Sequence, residues 1–310
     1  LCREPSFHTA ASASSINLIQ AIIMFSKLCK GVYRSRIGLQ QCVAIRNDLS
    51  IAGKPSYSKV AVAVKPAHTS LFGKSEVNLD KVLCSSPCSL ALAKNSPWRF
   101  IEPKHGRIRR FILTLLLYYS KMSKQIRAAN AIHSRICWQV DKPAIYKVFS
   151  LERTFTTTFS LLVLHMWLCL RRLQQEGDEA ANISQYLYEK YNHDLEMRVS
   201  EAGVKLMLNK SMKQLEKIFY GNVVAYDKAM LPEARLDEMN EVLWRNIFCD
   251  GGSSIIPERA AERAVQALSR YVRREANCMS LTDKADVLSG NFMFTPLEGS
   301  FRATPKTSNA

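Results

Sequence analysis

Two groupings in the sequence bring together side chains that could move protons or hold a metal ion. His193-Asp194, with Glu196 two residues on, offers an imidazole and two carboxylates for general acid–base work. Adjacent residues of a helix point about 100° apart and do not face one another, so the stretch reads as a solvated helix surface. His165 and Cys169 lie one helical turn apart within LVLHMWLC and can share a face. Two donors do not complete a zinc site and no second pair accompanies them, so His165 is expected to be a hydrogen-bonded core histidine. Cys84 and Cys88 repeat that spacing with no histidine nearby. No GxxxxGK[ST], GxGxxG, HExxH or GxSxG string occurs, which removes the usual local signatures of phosphate cradles, dinucleotide turns, zinc proteolysis and the nucleophile elbow. No catalytic, cofactor-binding or metal-ligating residue is assigned, and no small-molecule substrate is expected.

Residues suited to contact with a macromolecule stand out more. Lys121, Lys124, Arg127 and Arg135 form a basic ridge off the apolar stripe of their helix, and clustered cations suffice to meet the phosphates of RNA or lipid. Gly221 and Ala225, at i and i+4 in FYGNVVAYDKAM, permit close approach of a second helix, with Tyr220 and Tyr226 as large flanking contacts.

The elements that must carry these residues are all helical. Residues 116–139 lack Gly and Pro and set Ile126, Ala129, Ile132 and Ile136 at helical spacing. Asp141-Lys142-Pro143 closes that helix, because the residue before proline is pushed out of the helical region. After a short piece at 144–149, residues 156–175 read as a helix apolar on every side, which at this length means a central buried helix. Gly177 stops it. Further helices are expected at 179–199, at 205–230 with the stripe Leu208, Met212, Leu215 and Phe219, and after Leu231-Pro232 with the stripe Leu236, Met239, Leu243 and Ile247. A strong helix opens at Pro257-Glu258, with Ala261, Val265, Leu268 and Val272 on its apolar side, and a short one covers 281–288.

Composition agrees with this pattern. Gly and Pro are scarce, 12 and 11 in 310 residues, which disfavours a many-stranded sandwich or barrel. Nine scattered cysteines with no CxxC pair fit a reducing compartment. The net charge of +16 is uneven: residues 1–172 carry 26 basic and 7 acidic side chains, whereas 173–310 carry 17 and 20. Met24 is the first methionine, and residues 1–23 read as an upstream read-through ahead of it. Residues 24–66 hold eight Lys or Arg, five Ser and one acid, Asp48, with Phe25, Leu28, Cys29 and Val32 on one helical face. That is the composition of an organellar transit peptide, and the basic amphipathic helix beginning right at Met24 favours a mitochondrial over a chloroplast address. The expected organisation is therefore a disordered basic leader at 24–66, a linker of low order at 67–115, one compact all-α domain at 116–298 and a polar tail at 299–310.

Four strings in order, KPAIYKVFSLERTFTTTFSLLVLHMWLCLRRLQQEG (142–177), FYGNVVAYDKAM (219–230), LWRNIF (243–248) and RYVRREANCMSLTDKADVLSGNFMF (270–294), resemble the ubiquinol-cytochrome c chaperone family in its plant form, over about residues 119–298. The resemblance implies a non-enzymatic mitochondrial assembly chaperone for respiratory complex III. It would be peripheral to the inner membrane on the matrix side, associate with the mitochondrial ribosome, pair with a small assembly partner protein and hold newly made cytochrome b. It supplies no catalytic residue and no cofactor. Two other classes remain open from the residues themselves: a basic organellar RNA-binding protein, and a helical enzyme using His193, Asp194 and Glu196. RNA readers interleave stacking aromatics with cations, and the basic stretch 119–138 offers Tyr119 and Trp138 at its ends alone.

Overall fold

In a computed structural model of the chain, described residues are 83, 85–100, 105–203, 208–249 and 258–297. The read-through at 1–23, the leader at 24–66 and the tail at 299–310 lie outside them. Nine α-helices and one π-helical turn are formed among the described residues: α1 Arg107–Leu115, α2 Lys121–Val140, α3 Pro143–Val148, α4 Phe155–Gln174, α5 Asp178–Glu201, α6 Leu208–Ala229, α7 Glu238–Leu243 continued by the π turn Trp244–Phe248, α8 Glu258–Ser280 and α9 Lys284–Ser289. The all-α expectation holds.

Local chemistry sets most boundaries. Ser120 and Thr154 cap α2 and α4 by accepting from the N–H of Ser123 and Thr157, satisfying backbone donors that have no partner within the helix. Pro143 opens α3, where its fixed φ is helical and its missing N–H is not needed. Gly177 at φ 63° breaks α4 from α5, and Asp178 and Glu179 then sit where the helix dipole favours negative charge.

Helix α4 is the axis of the core. It packs against α2, α5, α6, α8 and the π turn, so every side of it meets another element. Residues from Phe159 to Leu170 are buried without interruption, as its apolar circumference demands. The arginines that end the apolar run are structural. The Arg172 guanidinium donates to the carbonyls of Met279 and Thr282 and pairs with Glu176, tying the end of α4 to the end of α8. Arg171 pairs with Asp227 of α6. No helix among the described residues is long and apolar enough to cross a membrane.

Three departures from the sequence reading have identifiable causes. The first helix of the body starts at Lys121, because residues 116–119 form the turn that ends α1. Its buried face passes through Gln125 and Ala129 to Ile132, Ile136 and Val140, which leaves Ile126 on the exposed side. Pro232 lies in a turn closed by the Ala234 N–H on the Leu231 carbonyl. Helix α7 therefore starts only at Glu238, and Leu236 lies ahead of it and outside its stripe, in solvent.

Finally, residues 85–100, read from the sequence as linker, form a strap across the far end of the chain. Ala91 and Phe292 make an antiparallel bridge, the Leu92 N–H donates to the Asn291 carbonyl, and the Met293 N–H donates to the Leu90 carbonyl. Arg99 clamps the strap through the Leu92 carbonyl and the Asp286 carboxylate, both at 2.6 Å.

Candidate functional site

The basic ridge divides into two halves. Lys121 and Lys124 are exposed at the start of α2 and line an open hollow with Tyr119, Gln125, Glu179 and Leu288. Arg127 instead donates to the Tyr118 carbonyl at 2.8 Å and stacks over the Tyr118 ring, holding the α1–α2 turn. Arg135 donates to the carbonyls of Gly290 and Trp98, joining α2 to both the strap and the C-terminal segment. The two arginines are thus half-buried braces, and the exposed cations of the ridge are the two lysines.

The α6 motif divides in the same way. Tyr226 is fully buried, its ring 5.2 Å from that of Trp167, so it belongs to the core and cannot dock a partner. Tyr220 is half-buried in an aromatic cluster with Tyr188, Tyr191 and Phe219, and its hydroxyl donates to that of Tyr188. Gly221 faces open space, since a Cβ built there meets nothing within 4 Å. Ile218 and Val224 beside it are exposed. Among the described residues nothing packs on Gly221, whereas Ala225 one turn on is half-buried.

His193 and Glu196 are exposed and make no common site with Asp194. Asp194 turns inward to α2, where its Oδ2 lies 3.7 Å from His133 Nε2 and 3.9 Å from Cys137 Sγ. These three donors lie within 4.8 Å of one another and could by distance alone hold a metal ion. The position is already filled electrostatically. Arg198 Nε donates to Asp194 Oδ2 at 2.8 Å, its terminal nitrogens reach Asp141 at 2.9 and 3.0 Å, and one lies 3.8 Å from Cys137 Sγ. A guanidinium in that place supplies the positive charge a cation would bring and repels a second one. Burial holds His133 down at about 4, against the opposing pull of Asp194, and burial with the Asp194 charge pushes the Cys137 thiol up to about 12. Both are therefore neutral near pH 7. The cluster is a brace between α2 and α5, and sequence spacing gave no signal for it beyond His133 and Cys137 at i, i+4.

His165 is the core histidine expected. A carbonyl only accepts, so His165 Nδ1 carries the proton toward the Leu161 carbonyl at 2.8 Å, and Nε2 accepts from the Tyr271 hydroxyl at 3.0 Å. Cys169 beside it is fully buried, and burial pushes its thiol far up, so it behaves as a small apolar residue.

Residues 147–294, from the end of α3 to the segment beyond α9, match the family model described as ubiquinol-cytochrome C chaperone. Over these residues the helical body is similar to this family. The ubiquinol-cytochrome-c reductase complex assembly factor 1 of Xenopus laevis is 27% identical over 186 residues, covering 58% of this chain and 86% of the relative. Its Homo sapiens counterpart is 26% identical over 216 residues, 67% and 68% of the two chains. Protein CBP3, mitochondrial, of Saccharomyces cerevisiae is 25% identical over 155 residues, 49% and 44%. The crystal structure of the Cbp3 homolog from Brucella abortus covers 60% of this chain and 97% of its own, at 23% identity and a TM-score of 0.48. Helices α1 and α2 and the strap at 85–100 lie ahead of the matched residues.

Proposed function

We propose that the protein is a mitochondrial assembly chaperone for respiratory complex III, which holds newly made cytochrome b at the mitochondrial ribosome, on the matrix side and peripheral to the inner membrane. The observation that carries this reading is the family match across α4 to α9, together with relatives named as ubiquinol-cytochrome c reductase complex assembly factors. The acid-poor, basic leader at 24–66 supports import. A chaperone for a membrane subunit must meet its client before the client's apolar helices associate, which favours a place at the site of synthesis. Ribosomes are polyanionic, and Lys121 and Lys124 offer an exposed docking element whose contacts weaken as salt competes for phosphates. The open side of α6 around Tyr220, Gly221 and Ala225 suits the small assembly partner or the client itself.

The test is crosslinking of the imported protein during organellar translation, with and without nuclease, alongside ribosome co-sedimentation over a salt series. Newly made cytochrome b is expected among the crosslinked products. Lys121→Glu with Lys124→Glu should lower co-sedimentation and complex III content without changing the melting temperature. Loss of the crosslinked products on nuclease treatment alone would favour an RNA-binding protein, and normal cytochrome b accumulation in cells lacking the protein would overturn the chaperone reading.

A further inference from the structure

Helix α1 buries none of its residues, although five of its nine, Ile108, Phe111, Ile112, Leu113 and Leu115, are apolar. Ile108, Phe111, Ile112 and Leu115 fall at i, i+3, i+4 and i+7, within a sector of about 100° on the helix wheel. They are 80, 72, 49 and 74% exposed. Arg107 and Arg109 flank that sector on either side and Arg110 lies opposite, all three exposed. Between Glu102 and Asp141, residues 103–140 contain no acidic residue and eight Lys or Arg.

The end of the helix extends the same surface. The Tyr118 N–H donates to the Leu113 carbonyl and the Leu117 N–H to the Thr114 carbonyl, a Schellman closure that places residue 117 in the left-handed region, where glycine is usual. Here the residue is leucine, at φ 57° and 62% exposed. A strained, solvent-facing Leu117 next to exposed Leu116 gains nothing within the described body. It adds apolar surface to the patch that Ile108, Phe111 and Leu115 begin.

We propose that α1 is an interfacial anchor that lies in the plane of an anionic lipid bilayer, its Ile108, Phe111, Ile112, Leu115 and Leu117 side chains entering the headgroup–acyl boundary and its arginines meeting lipid phosphates. At 9 residues the helix is about 14 Å long, too short to cross a hydrocarbon core of about 30 Å and suited to lying on it. Charge complementarity selects an anionic surface: a helix of a partner protein would be served by the apolar sector alone, whereas cations bordering that sector, with no acid along the chain nearby, match headgroup phosphates. This deepens the peripheral-membrane reading above by naming the element that makes the contact.

The experiment uses the full chain with vesicles of phosphatidylcholine, alone or with 30 mol% cardiolipin as a chosen anionic fraction (~30%, enough for a surface potential), read by flotation and by hydrogen exchange of the 105–119 amides. The parent chain should float with cardiolipin vesicles more than with neutral ones, and the 105–119 amides should become protected there, because a helix this short frays in water. Phe111→Ser with Leu115→Ser should weaken partitioning on the order of tenfold or more on both vesicle types. Arg109→Gln with Arg110→Gln should remove on the order of tenfold of the preference for anionic vesicles. Leu117→Gly should also weaken partitioning while leaving the melting temperature equal or higher, since it relieves the left-handed leucine. Flotation that is unchanged by these variants, with 105–119 unprotected, would reject α1 as the anchor while retaining a peripheral protein. Absence of flotation on either vesicle would reject both.

Discussion

Trp167 offers a quantitative check on the placement of α4. Its side chain is 1% exposed, its ring lies 5.2 Å from that of Tyr226, and its Nε1–H donates to Asp227 Oδ1 at 2.8 Å. Arg171 shares that oxygen at 3.3 Å from a more exposed position. Trp167→Ala removes the packing of the whole indole and leaves a cavity, at a cost of about 3–5 kcal/mol. Trp167→Phe keeps most of the packing and deletes the N–H alone. The Asp227 carboxyl, pushed up by burial and held down by that donor, then loses a hydrogen bond, for about 1–3 kcal/mol, toward the lower end because Arg171 remains. Thermal melts followed by circular dichroism, with urea titrations for the free energies, should show Trp167→Ala melting roughly 6–20 °C below the parent, at about 2–4 °C per kcal/mol for a body of this size. In an Asp227→Ala background the Phe substitution should cost less than it does alone, which isolates the pair by a double-mutant cycle. A Trp167→Ala protein within about 1 kcal/mol of the parent would refute the central placement of α4. Additive losses in the cycle would refute the hydrogen-bond component.

Gly290 ends α9 at φ 69°, and a Cβ there would stand 2.7 Å from Ala131 Cβ and 3.0 Å from the Ile132 nitrogen; Gly290→Ala should therefore cost about 2–4 kcal/mol in urea unfolding, from left-handed strain plus overpacking against the backbone of α2. Burial holds His165 at about 4 in the folded state against an ordinary value of 6.5, so the unfolded chain binds the extra proton as pH falls from about 6.5 to 4 and stability is lost across that window, by about 2 kcal/mol between pH 7 and 5. A His165→Gln protein should be less stable at pH 7 yet lose about 2 kcal/mol less than the parent over the same interval; equal losses in the two proteins would count against a neutral buried His165.

The sequence determined the helices wherever the determinant is local. Pro143, Gly177 and Gly290 act through their own backbone preferences, and the apolar circumference of 159–170 can be read without knowing its neighbours, because only a helix covered on all sides tolerates it. The core histidine followed by the same logic: a lone imidazole in an apolar helix reaches the carbonyl one turn back. Tertiary structure decided whatever depends on a partner distant in sequence. Spacing places Tyr220 and Tyr226 in one motif, yet only the packing of α6 on α4 turns Tyr226 onto Trp167 and leaves Gly221 open. The four ridge cations look alike in sequence, and two of them become braces because the Tyr118, Gly290 and Trp98 carbonyls lie within their reach. The brace of His133 and Cys137 with Asp194 and Arg198 joins residues 57 or more apart, such as Cys137 with Asp194, and the strap at 85–100 pairs with a segment some 190 residues on. Side-chain periodicity reports which face of an element is apolar. Which element comes to cover that face is set by the docking of whole helices against one another, and no local pattern encodes it.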